Sequence, residues 1–249
     1  MMNWKCFFFL GLIALLVACD SPESATPKPT PQAIRVYYPA SLQAWADELA
    51  RCAINVPEVA LYYKQTTSLA ADITSSDITL EFGQLAQDKT GMHVYRIGEE
   101  QVVVVVNRSN PISQLSTDKL RQIYSGQLLN WENDAGKPIQ VWVLPKGDPI
   151  RSIFDQTVLQ AQMLAPEARL APDPKAVEEA ISSDETAIGY LPSSFLSNSG
   201  TVNTTVVNII QLEAALNKDL KQPVLAITLD EPSGYKRSLL VCLQNSNLN

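Results

Sequence analysis

Apolar positions along this chain switch between two periods, and each switch marks a new element. Ile34–Tyr38 reads as a strand, after which Leu42, Trp45, Leu49 and Cys52 fall on one face at helical spacing. Val59–Tyr63 predicts a second strand, and the alternation of Ile78, Leu80 and Phe82 a third over Ser76–Phe82. Val94–Ile97 leads into five consecutive valines, Val102–Val106. A β-branched run with no polar face predicts a central strand covered on both sides. Asn107-Arg108-Ser109-Asn110-Pro111 stops it, because proline donates nothing to a ladder and Asn and Ser favour turns. A short amphipathic helix follows, with Ser116 as its N-cap, Leu120, Ile123 and Tyr124 inward, and Gly126 at its end.

The second half repeats this grammar. Ile139–Leu144 predicts a strand, Ile150–Leu164 a helix with Ile153, Phe154, Val158 and Leu159 inward, and Pro174–Ser183 another helix. Ala187–Leu191 is a short buried strand, followed by Val202–Ile210, a Leu212–Leu220 segment, the strand Val224–Leu229 and a last helix over Tyr235–Gln244. Strands alternating with helices predict an α/β protein with a mainly parallel sheet and no internal repeat.

The valine strand, the N-x-S-N-P turn and the helix carrying Thr117, Leu120, Ile123, Tyr124, Gly126, Asn130 and Trp131 resemble the phosphate-binding-protein-like family. Ala187-Ile188-Gly189-Tyr190 adds to the likeness, which extends over about Ile34–Gln244. These relatives are extracytoplasmic solute-binding proteins of ABC transporters. The resemblance implies a two-lobed type II periplasmic-binding-protein fold, each lobe a mainly parallel sheet flanked by helices. Residues 34–106 plus 191–249 would form lobe I and residues 107–190 an inserted lobe II, joined by two crossover hinge segments with the ligand cleft between them.

Composition narrows the partners. The chain has 249 residues and a net charge of −7, which becomes −8 once Lys5 is removed with residues 1–18. That acidic balance argues against nucleic acid, whose phosphate backbone needs basic surface. Lys5 and the apolar run Cys6–Ala18 read as a leader too short to span a bilayer comfortably. Leu16-Val17-Ala18-Cys19 resembles a lipobox, implying cleavage after a signal peptide of residues 1–18 and a lipid on the sulfur of Cys19. Residues 19–33 hold four prolines among Ser, Thr, Glu and Lys and read as a tether to the bacterial cell membrane. Cys52 and Cys242 are then the cysteines of the globular part, either bridged in an oxidising compartment or buried as free thiols.

Candidate ligand contacts follow from the resemblance, since relatives hold an oxyanion on N–H groups and hydroxyls at helix N-termini. Ser41 opens the first helix, although as a plain N-cap it would need no ligand. Ser76 and Asp77 match a Ser-Asp loop of the relatives, and Ser-Asp is equally common where a strand opens. Of the relatives' R-x-x-G-S-G-T-R loop only Gly147 and Arg151 remain; its first arginine falls on Leu144, its serine on Asp148 and its threonine on Ile150. Asp148 is placed to N-cap the next helix with its own carboxylate, and Pro149 removes a further donor. An anion there would meet an uncompensated negative charge, a cost of about 1–4 kcal/mol.

Three function classes follow. The first is a solute-binding lipoprotein that takes phosphate or another small polar solute to an ABC permease, as a monomer. The alternative is a degenerate relative acting as a cell-surface sensor or interaction domain without phosphate binding. An enzyme is disfavoured: the single histidine, His93, has no Gly-x-Ser-x-Gly elbow or Cys/His metal spacing beside it, so no metal or cofactor is expected. Glu99/Glu100 and Glu178/Glu179 are expected on solvated faces, and Trp45, Trp131 and Trp142 in the core.

Overall fold

The computed structural model describes residues 31–66, 73–84, 91–131, 137–198 and 207–246. The leader, Cys19 and most of the tether lie outside the described residues. Nine strands and seven α-helices follow in chain order among the described residues. They are β1 (Gln32–Tyr38), α1 (Gln43–Ala53), β2 (Val59–Gln65), β3 (Ile78–Phe82), β4 (His93–Asn107), α2 (Thr117–Tyr124), β5 (Gln140–Val143) and α3 (Pro149–Phe154). After these come β6 (Arg169–Leu170), α4 (Pro174–Ser183), β7 (Ala187–Pro192), α5 (Ser193–Asn198), β8 (Val207–Ile209), α6 (Ala214–Asp219), β9 (Lys221–Thr228) and α7 (Gly234–Gln244).

The sheet runs β2-β1-β3-β9-β4-β7-β5-β6, with β8 also on β4. Parallel ladders lie at its two ends, β2-β1-β3 and β7-β5-β6, as alternating strands and helices require. The middle is antiparallel, because β9 and β4 run against their neighbours. β4 carries Val94–Ile97 on into the valine run as one strand of 15 residues, with a register shift between Arg96 and Gly98. It pairs with β9 along His93–Gln101 and with β7 along Val102–Val106. β8 pairs with the other edge of its last three residues, and α4, α5 and α7 pack against β4, so the valine run needs no polar side.

The N-x-S-N-P turn holds the fold together through its asparagines. Asn107 Nδ2 donates to the Ile181 and Ser182 carbonyls at the end of α4, and Asn110 Nδ2 donates to the Glu185 carbonyl. Ser116 caps α2 by accepting from the Lys119 N–H, as its position predicts. Trp45 and Trp131 are buried, and Trp142 is partly covered by the Arg169 guanidinium. A disulfide joins Cys52 on α1 to Cys242 on α7, across 190 residues of sequence.

Two expectations of solvated acids are corrected. Glu100 and Glu178 are buried while Glu99 and Glu179 face outward. In β4 successive side chains point to opposite faces, so adjacency in sequence separates the pair. Glu178 is neutralised by Lys175 one helical turn earlier, at 2.8 Å. Glu100 accepts from Trp45 Nε1, Ser193 Oγ and the N–H groups of Gln101 and Ser194.

Candidate functional site

The chain after β5 turns over Pro145–Asp148, where the Asp148 N–H donates to the Pro145 carbonyl. Gly147 takes φ +100° in this turn, a conformation that side chains with a Cβ rarely adopt. Asp148 then N-caps α3 as its position predicts, accepting from the N–H groups of Ile150 at 2.9 Å and Arg151 at 3.3 Å. Pro149 stands at N1. The helix continues past Phe154 as a π-helical turn over Asp155–Leu159 and ends at Gln160, which has φ +55°. It stops short of the expected Leu164 because that backbone cannot continue the helix.

Asp148 is 4% exposed and Ser41 1% exposed. The Ser41 N–H and hydroxyl face the Asp148 carboxyl, although the hydroxyl completes no hydrogen bond of good geometry. Burial pushes the Asp148 carboxyl above the usual aspartate range, against the opposing pull of Ser41 and the Arg151 and Ile150 N–H groups. Arg151 does not reach toward this carboxyl: its Nε pairs with Asp155 and its Nη1 donates to the Leu144 carbonyl, both at 2.6 Å. Behind it Phe154 stacks on Tyr190, ring centroids 4.0 Å apart, and Tyr124 packs tilted against Phe154.

A groove of 680 Å³ opens beside this turn. One wall is Glu81, Phe82 and Gln84 at the carboxyl end of β3, with Asp219 and Gln222 next to it. The other is Gly147, Pro149, Ser152, Ile153, Gln156, Thr157 and Gln160. Among the described residues no Lys or Arg lines it. Its hydrogen-bonding capacity comes chiefly from amides and hydroxyls, which suits a polar solute.

The structure brings together some of the expected site residues and not others. Ser41 lies against Asp148, and Gly147 lines the groove. Arg151 is on the same helix but engaged internally. Ser76 and Asp77 stand at the amino end of β3, whereas Phe82 lies at its carboxyl end, roughly 17 Å from Asp77 at strand rise. There Asp77 accepts from the backbone N–H and Nε of Arg35, and Ser76 bonds Thr79 and the Ile73 carbonyl. The sequence pattern gives no sign of these lining positions: Gln156, Thr157 and Gln160, beside inward Phe154, Val158 and Leu159, read as an ordinary solvated face, and Gln84, Asp219 and Gln222 reach the groove only through the way separate segments meet. His93 is partly exposed near Glu231, at 3.9 Å.

The model of the PBP superfamily domain matches residues 62–244. The phosphate-binding protein PstS of Bacillus subtilis (strain 168) is 25% identical over 195 residues, 74% of this chain and 62% of that protein. The chain thus spans less than two thirds of that relative's length. A substrate-binding protein from Clostridium perfringens, solved with bound phosphate, superposes with a TM-score of 0.71 at 20% identity, covering 85% of this chain and 93% of that one. The CcmR regulatory domain of Synechocystis PCC6803, in complex with 2-PG, does so with a TM-score of 0.61 at 14% identity, covering 85% and 95%. The chain belongs to the PBP superfamily domain family, and its fold is of the type II periplasmic-binding-protein kind.

Proposed function

We propose that this member of the PBP superfamily is an extracytoplasmic solute-binding lipoprotein of an ABC-type uptake system, holding a small polar solute other than phosphate in the 680 Å³ groove. In this reading residues 34–106 plus 191–249 form one lobe, residues 107–190 the other, and hinge closure buries the solute between them. The observation that carries it is the origin of the lining. Glu81, Phe82, Gln84, Asp219 and Gln222 come from the first set, and Gly147 through Gln160 from the second.

The groove's chemistry supports an uncharged or cationic solute. Glu81 and Asp219 are its charged residues among those described, Asp148 lies buried between the lining residues Gly147 and Pro149, and Arg151 is engaged with Asp155. An oxyanion beside Asp148 would lose about 1–4 kcal/mol to repulsion. The protein acts as a monomer held by lipid on Cys19, and among the described residues no helix is long and apolar enough to cross a membrane. The likeness to a regulatory domain supports a second reading, a surface sensor with the same groove.

A thermal-shift screen of the domain from about Ile34 tests this, using sugars, polyols, amino acids, phosphate and sulfate. A solute at a hundredfold excess over its dissociation constant stabilises by about 2.7 kcal/mol. A saturable shift with an uncharged or cationic solute, abolished in Gln156→Ala, is expected. A saturable shift with phosphate alone would overturn the choice of solute. Silence across the panel would favour the sensor reading.

A further inference from the structure

The hydrogen-bonding sense of the solute groove is set by the protein's own bonds. Two hydroxyls line one wall, and each has spent its only proton on the helix that carries it. Ser152 Oγ donates to the Asp148 carbonyl at 3.1 Å, and Thr157 Oγ1 donates to the Ile153 carbonyl at 2.7 Å. A hydroxyl bonded back along its helix has only lone pairs left for a ligand. Pro149, on the same wall, has no N–H to offer. On the other wall Gln222 Nε2 donates to the Asp219 carbonyl at 2.8 Å, which uses one of its two amide protons and neither lone pair of its Oε1. Glu81 and Asp219 are carboxylates, which accept and do not donate. Among the described residues no Lys or Arg lines either wall. The amides of Gln84, Gln156 and Gln160 donate and accept alike, so they do not reverse this balance.

Walls rich in acceptors are matched by a ligand that mostly donates. A sugar or polyol hydroxyl brings one proton and two lone pairs, and a carboxylate or phosphate brings chiefly lone pairs. An ammonium group has three donors and no acceptor. The chain's net charge of −7 draws a cation in the same direction. We infer that the groove takes a primary amine: a solute with at least one ammonium group and no carboxylate or phosphate, whose N–H donors meet the oxygens of Ser152, Thr157 and Asp219. The inference rests on the proposed solute groove and narrows its occupant from any uncharged or cationic solute to one chemical class.

The test uses matched probes that differ only in amine against hydroxyl. Isothermal titration calorimetry of the full chain compares diaminobutane with butanediol, and glucosamine with glucose. At least one amine should bind saturably, about tenfold or more tightly than its hydroxyl counterpart, and should weaken as ionic strength is raised. Asp219→Asn and Thr157→Val should each weaken that amine by about fivefold or more. If circular dichroism shows either variant unfolded, the ranking of the probes on the natural chain decides. A hydroxyl probe that binds as tightly as its amine overturns the inference and leaves the solute groove standing. Silence of both amines beside a neutral solute found by the wider screen does the same. Amine binding untouched in both folded variants places the amine elsewhere and also overturns it. Silence of every solute in both experiments overturns the groove as a solute site, and this inference with it.

Discussion

Trp45 donates its indole N–H to the buried carboxylate of Glu100 at 2.9 Å. The same carboxylate takes Ser193 Oγ and the Ser194 N–H, so it ties α1 to the start of α5 at the point where β4 exchanges β9 for β7. Glu100→Ala would strand these donors in a dry environment and should destabilise the fold by about 2–4 kcal/mol. Glu100→Gln keeps one acceptor and should recover part of the loss. Urea denaturation of the three proteins measures this, and a loss under about 0.5 kcal/mol for the alanine variant would contradict it.

Cys52 and Cys242 close a loop of 190 residues. Removing the bridge frees a long unfolded chain, so Cys52→Ser with Cys242→Ser should lower stability by about 2–5 kcal/mol. Dithiothreitol should lower the thermal midpoint of the natural protein and leave that of the double variant unmoved.

Asp148 carries a distinct pH signature. Its folded value is raised by burial above the ordinary aspartate value of about 3.9. The native state therefore holds its proton to higher pH than the unfolded chain, and stability falls as pH rises from that ordinary value through the raised folded one. Asp148→Asn keeps a capping oxygen without the charge. Its thermal midpoint relative to the natural protein should improve as pH rises from about 4 to 7. A difference that is flat or shrinks over this window would contradict the burial argument.

Asp77 behaves in the opposite way. Burial works against its charge, but the hydrogen bonds and charge of Arg35, with Lys236, hold it below the usual range. The stability it adds is present above the unfolded value and lost as pH falls through the lowered folded one. Because Arg35 is largely exposed, Asp77→Asn should cost at most about 1 kcal/mol at neutral pH. It should leave affinity for any groove solute unchanged, as calorimetry would show.

Gly189 admits no side chain. A Cβ there would stand 2.7 Å from Val177 Cγ1, and β7 is packed against α4. Gly189→Ala should destabilise by about 1–3 kcal/mol, read from chemical denaturation.

Much of the fold was legible because it rests on local rules. The valine run, the asparagine turn and the Ser116 cap each occupy the role their chemistry predicts. Less of the site was legible. Asp148 and Pro149 could be read as a self-capped helix start because capping is decided within three residues. Ser76 and Asp77 could not be placed, since which end of β3 meets the groove depends on the strands beside it.

By itself the sequence determined the α/β alternation, the positions of turns and caps, the family and the self-capped helix start at Asp148-Pro149. Periodicity, proline and N-capping act over a few residues, so they are written in consecutive letters. Only the tertiary structure decided that Ser41 meets Asp148, that Cys52 meets Cys242, that Glu100 is buried, and that glutamines from separate segments share one groove. Those relations join segments as much as 190 residues apart, and sheet order and packing, not local propensity, bring them into contact.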